Sequence, residues 1–147
     1  MVRPVFTIGP SPDAQALRTA VFIEEQHVVH EYDELDPLSW SLVLYFDRIP
    51  VATGRLVRLD PQHGLIGRVA VRKEFRHKKI GSYVLAFLER KAREIGITQI
   101  ELHAQTDKLP FYQKAGYHIL TGEIFYDENM PHVAMGKTLK QRKRKAK

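Results

Sequence analysis

The chain has no cysteine. Its absence excludes a disulfide framework, a thiolate nucleophile and a cysteine metal site, and it suits a reducing, cytoplasmic setting. No apolar run approaches the roughly 20 residues that cross a bilayer. The opening "MVRPVFTIGP" lacks the charged-then-apolar layout of a secretory leader. We therefore expect a soluble protein without a membrane partner. Metal-ligand spacing is missing too: the seven histidines form no H-x-x-x-H pair and there is no carboxylate-rich loop at ligand spacing. "HVVH", His27 to His30, comes nearest and lies in an irregular stretch, so no metal is expected. Nor is there a G-x-S-x-G turn to expose a serine nucleophile.

What is present starts with charge. The 147 residues suffice for one domain with its own core, and the formal charge is +6. Seven of the positive charges are Lys137, Lys140, Arg142, Lys143, Arg144, Lys145 and Lys147, with no acid among them, and the remainder is slightly acidic. We read residues 1–136 as the folded domain and 137–147 as a basic, solvated tail. The tail leaves open an association with nucleic acid or the ribosome, although it has no aromatic residue on which bases could stack.

Within the domain, Val5 to Ile8 reads as a strand, and Ser11, Pro12 and Asp13 mark a helix start as N-cap, first helical residue and first-turn acid. Ala14, Leu17 and Val21 share one face of that helix. "LVLYF", "VATGRLVRL" and "LIGRVAV" are strands separated by the turns "DRIP" and "PQHG". A helix opening near Lys79 sets Ile80, Val84, Leu88, Ala92 and Ile95 in one stripe and stops at Gly96. "ITQIELHAQ" is a strand, "LPFYQKAGY" a short helix, and "HILTGEIFY" and "HVAMGKTL" two closing strands, which leave a homodimer open through strand pairing. The order predicts a mixed sheet covered by helices.

"RHKKIG" stands where an apolar strand passes into a helix. Unpaired amides at a helix start, with the added charge of Arg76, His77, Lys78 and Lys79, suit a phosphate-bearing ligand. The strand "VAV", a short connection and "RHKKIG" resemble the acetyl-CoA signature of the GNAT superfamily of N-acetyltransferases, in which Arg or Gln is followed by two variable residues, Gly, any residue, and Gly or Ala. Arg76 and Gly81 hold the first and last places, and Lys79 stands at the usual first glycine, where a side chain calls for negative φ. "LPFYQKAGYHIL" is similar to the GNAT segment whose helix carries an aromatic pair and ends at glycine. "VFIEEQHV", "EYDELD" and "YDENMPHVAM" resemble the small bacterial ElaA-like and YjcF-like branch.

The resemblance implies an α/β fold with a mixed, mostly antiparallel sheet of six to seven strands, helices on both faces and a V-shaped cleft between two parallel strands. It implies direct transfer of an acetyl group from acetyl-CoA to a primary amine of a small molecule or an exposed protein amino group. Main-chain groups of Val69, Ala70 and Val71 would bond the pantetheine arm. Amides from Arg76 through His77, Lys78, Lys79, Ile80 and Gly81, with Ser82, would hold the pyrophosphate. Tyr112 would protonate the leaving thiolate, or else serve as packing. Glu25 is expected as the base, with pairing to Arg18 as its ordinary alternative. Gln26, Glu101, His103 and His132 are expected on the acceptor side; Glu101 alternatively faces solvent, and either histidine alternatively serves structure. The competing reading is an acyl-CoA-binding sensor or scaffold with lost catalysis.

Overall fold

A computed structural model describes residues 2–28 and 33–140. Chain order is β1 (Val2–Ile8), α1 (Pro12–Arg18), β2 (Trp40–Phe46), β3 (Ile49–Asp60), β4 (His63–Val71), α2 (Ile80–Glu94), β5 (Gln99–Gln105), α3 (Leu109–Lys114), β6 (His118–Ile119), β7 (Phe125–Asp127) and β8 (Met130–Thr138). The strands form one sheet in the order β1-β2-β3-β4-β5-β8-β6, with β7 also on β8. All pairings are antiparallel except β4 with β5.

The Ser11 hydroxyl caps α1 by accepting from the Ala14 amide at 3.2 Å. After Arg18 the helix widens into π-type bonding over Thr19–Glu25, where the Gln26 amide reaches back to the Val21 carbonyl at 3.1 Å. Ala14 and Leu17 pack on Val43 on one face of the sheet. The opposite face carries the main core: Leu42 and Leu44 of β2, Leu56, Ile66, Leu102 and Met135 meet Ile80, Val84, Leu88 and Ala92 of α2. Strand alternation thus sends successive residues of β2 to different helices. Helices cover both faces as expected.

Two expectations change in detail. "HILTGEIFY" is not one strand: Thr121-Gly122 interrupts it, so β6 and β7 are short separate pieces and the sheet has eight strands, not six or seven. The domain does not stop at 136 either. Period-two alternation continues along β8, so Val133, Met135, Lys137 and Leu139 share the core face; Leu139 is buried, and the Lys137 ammonium donates to Glu89 and to the Ala115 carbonyl at 2.9 Å each. The remaining basic run from 141 on lies outside the described residues.

Parallel pairing of β4 and β5 joins only His63–Ile66 to Gln99–Leu102. Beyond that level β4 follows β3 to Val71 while β5 follows β8 to Gln105, so the two strands part. The cause is a bulge: between the pairs Arg55–Gly67 and Thr53–Ala70, Arg68 and Val69 oppose Gly54 alone, and Arg68 adopts φ 54°. Gly54 permits this packing, since a Cβ there would lie 2.7 Å from Leu88 and 2.8 Å from Val84 of α2.

Candidate active site

The opening between β4 and β5 is lined first by backbone. The Arg72 amide donates to the Val51 carbonyl at 2.8 Å, so peptide groups of even-numbered residues here turn toward β3. By alternation the N–H and C=O of Val69 and of Val71 face the opening, and those of Ala70 face β3. Ala70 is therefore removed from the expected main-chain ligands, and its side chain is buried. The Val71 carbonyl is already occupied by the Arg76 Nε–H at 3.0 Å. Val69 is left with both groups directed into the gap, and Val71 with its N–H.

Next comes the turn into α2. The Arg76 amide donates to the Lys73 carbonyl at 3.3 Å, which takes it out of the expected set. From His77 through Ser82, however, no amide donates to any carbonyl or side chain among the described residues. His77 and Lys79 both have φ 63°, alternating with Lys78, a geometry that makes successive amides converge on a concavity suited to an anion. Lys79 therefore departs from the negative φ expected of a side chain at the glycine position. The left-handed conformation costs about 1–2 kcal/mol for an L-residue. Gly81 is needed for a different reason: Phe111 of α3 lies 3.2 Å from where its Cβ would be, so α3 is docked on the start of α2.

Tyr112, also on α3, packs edge-on to Phe111 and Tyr117 with ring centroids 5.0 and 6.2 Å away. Its hydroxyl has no hydrogen-bond partner among the described residues. Burial pushes the phenol up to about 12, so it stays protonated through the neutral range. Tyr117 differs: its hydroxyl donates to Glu89 at 2.9 Å and is committed to the core.

Most of the residues expected on the acceptor side already have partners within the protein. Both oxygens of Glu25 accept from Arg76, at 2.6 and 2.7 Å, and these bonds hold its carboxyl below the usual carboxylate range. A carboxylate so held is a poor proton acceptor, which counts against Glu25 as base. Arg18, its anticipated partner, instead makes a buried bidentate pair with Asp36 at 2.7 and 3.1 Å. Arg55 joins them, bonding Asp36 at 3.0 Å and Asp33 at 2.7 Å. Burial alone would raise the Asp36 carboxyl, but Arg18, the Asp33 amide and Arg55 outweigh it and hold it at about 2. The buried Oε1 of Gln26 has no partner among the described residues.

On β5, His103 is the first residue beyond the parallel pairing, and its Nε2 lies 2.8 Å from Glu101. A carboxylate can only accept, so in the neutral ring Nε2 carries the proton and Nδ1 keeps the lone pair. His132 pairs in register with Gln105 on β5, and its Nδ1 lies 2.7 Å from the Met130 carbonyl, fixing the opposite tautomer. Phe125 joins the two histidines, edge-on to His103 at 5.3 Å and stacked on His132 at 5.7 Å. Glu101, His103 and His132 thus meet on one face of the sheet. Phe125 was not anticipated, because its role depends on β7 lying on β8. Among the described residues no three His, Asp or Glu side chains gather at metal-ligating distance. No described helix is long and apolar enough to cross a membrane.

A strand opening beside a helix start rich in unpartnered amides is the architecture of an acyl-CoA transferase of the GNAT class. The acetyltransferase (GNAT) domain family matches residues 10–139, and the chain belongs to that family. It is 37% identical to the Bacillus subtilis N-acetyltransferase YjcF, covering 85% of this chain and 90% of that one. A crystal structure from Lactobacillus plantarum, assigned as an N-acetyltransferase, superimposes with TM-score 0.85 at 32% identity, over 94% of this chain and 98% of that one. Escherichia coli ElaA superimposes with TM-score 0.80 at 25% identity, over 93% and 99%. The sequence resemblance and the GNAT fold are thereby borne out.

Proposed function

We propose that this N-acetyltransferase moves the acetyl group of acetyl-CoA directly to a primary amine, on a small molecule or an exposed protein amino group, within the opening between β4 and β5. The observation that carries the reading is the run of unpartnered amides from His77 to Ser82 beside the free edge of Val69. A diphosphate supplies the acceptors those donors lack, and Lys78 and Lys79 add charge at the same turn. The Val69 amide is the group placed to meet a thioester oxygen as charge develops on it.

The reaction balances as follows. An ammonium acceptor gives one proton to a base, and its nitrogen then bonds to the thioester carbonyl carbon. The C–S bond breaks, the Tyr112 O–H supplies the proton that converts thiolate to thiol, and the second proton that the nitrogen sheds on becoming an amide returns to the phenol. His103, oriented by Glu101 and placed where the strands part, replaces Glu25 as the proposed base. Gln26 and His132 border the acceptor.

Titration calorimetry with CoA on the full chain, followed by thiol release from acetyl-CoA across a panel of amines, tests this. CoA is expected to bind in the micromolar range and thiol to appear only with an amine present. No heat at millimolar CoA would end the reading; binding without amine-dependent thiol release would leave a binding module.

A further inference from the structure

We infer that Arg76 and Glu25 form a clasp that transmits occupancy of the CoA phosphate loop to the acceptor-side segment. This inference rests on the cofactor reading above. Arg76 belongs to the connection between β4 and α2, yet neither its amide nor its side chain is free for a phosphate loop. Nε–H is fixed to the Val71 carbonyl at the end of β4, and the two Nη groups grip Glu25, 51 residues away at the end of the π-type segment. The guanidinium therefore joins three things: the strand edge that flanks the opening, the loop whose next six residues carry the unpartnered amides, and the segment that leads into Gln26.

The pair spans a partly open boundary. A cleft of about 290 Å3 separates the two parts, lined by Ala16, Ala20 and Val21 on one side and Arg72, Lys73 and Glu74 on the other, with Glu25 on its rim. Thr19–Glu25 makes few contacts with β4, and an ion pair at the edge of this gap adds a side-chain link between the two parts. Exposed ion pairs are usually weak, but a bidentate guanidinium–carboxylate pair is the geometry in which they count. The segment it holds is also soft: π-type bonding is an irregular helix, and the buried Oε1 of Gln26, next to Glu25, has no partner among the described residues. Fixing the loop by ligand binding at His77–Ser82 thus steadies Thr19–Val28 through one pair of side chains. Glu25 and Arg76 are positioning residues in this account.

Amide hydrogen exchange on the full chain, with and without saturating CoA, reads the link directly. In the wild type CoA is expected to slow exchange in residues 77–83 and, by about fivefold or more, in 19–28. In Glu25→Gln, an isosteric change at a half-exposed site, protection of 77–83 persists and that of 19–28 falls to less than half; Arg76→Gln gives the same loss in 19–28 from the other side. Thermal melts check that both variants are folded. Protection of 19–28 that survives in either folded variant, or that is missing in the wild type while 77–83 is protected, overturns the clasp alone. Absence of protection at 77–83 in the wild type overturns the cofactor reading, and the clasp falls with it.

Discussion

The two sides of the cleft are built from different materials. On the proposed cofactor side, the peptide amides from His77 to Ser82 have no partner among the described residues. On the acceptor side, side chains have already found one another: Glu25 with Arg76, Asp36 with Arg18 and Arg55, Glu101 with His103. A backbone site tolerates changes of side chain as long as the chain path is kept, which is why Lys79 can stand at a glycine position. A side-chain site has no such tolerance, because changing one member leaves its partner stranded.

Four experiments probe that contrast, in falling order of expected effect. Tyr112→Phe removes the only proton the mechanism asks α3 to supply, and kcat should fall about a thousandfold with CoA affinity unchanged. A wild-type rate would return Tyr112 to packing. His103→Gln should lower kcat/KM about a hundredfold with CoA affinity unchanged; a rate within a few-fold of wild type would exclude His103 as base. Acid titration addresses the Arg18–Asp36–Arg55 cluster. The folded Asp36 carboxyl is depressed to about 2, so its contribution is complete above the ordinary value of 3.8 and is lost as pH falls through 2. About 2 kcal/mol of stability should disappear over that window. Asp36→Asn should unfold at lower denaturant and lose that part of the acid dependence. The smallest effect belongs to Lys79→Gly. Relief of the left-handed side chain offsets the added freedom of the unfolded chain, so stability should move by less than about 1 kcal/mol. CoA affinity should fall only a few-fold, through the lost charge. A large loss would mean that the Lys79 side chain, not its backbone, holds the phosphate.

Much of this was legible beforehand, and the legible part has a common character. The Ser11 cap, the stripe from Ile80 to Ala92, the strands and the amide-rich turn before α2 all follow from neighbours in sequence. The tail boundary was misplaced at 137 because a lysine run masks the alternation that carries Lys137 and Leu139 into the sheet. Nothing in the sequence near Glu25 announces a partner 51 residues on, and Arg18 was the nearer candidate. The direction of each peptide group at Val69, Ala70 and Val71 depends on the bulge at Arg68, which no local signal marks.

From the order of residues alone came the fold family, the amide-rich helix start, and Tyr112 on its short helix, since each rests on interactions a few positions apart. Tertiary structure decided which carboxylate meets which cation, which histidine nitrogen keeps its lone pair, and which backbone groups stay unpaired. Those outcomes depend on a few ångströms of placement between distant segments, and a bond between them exists only once the sheet has brought both ends together.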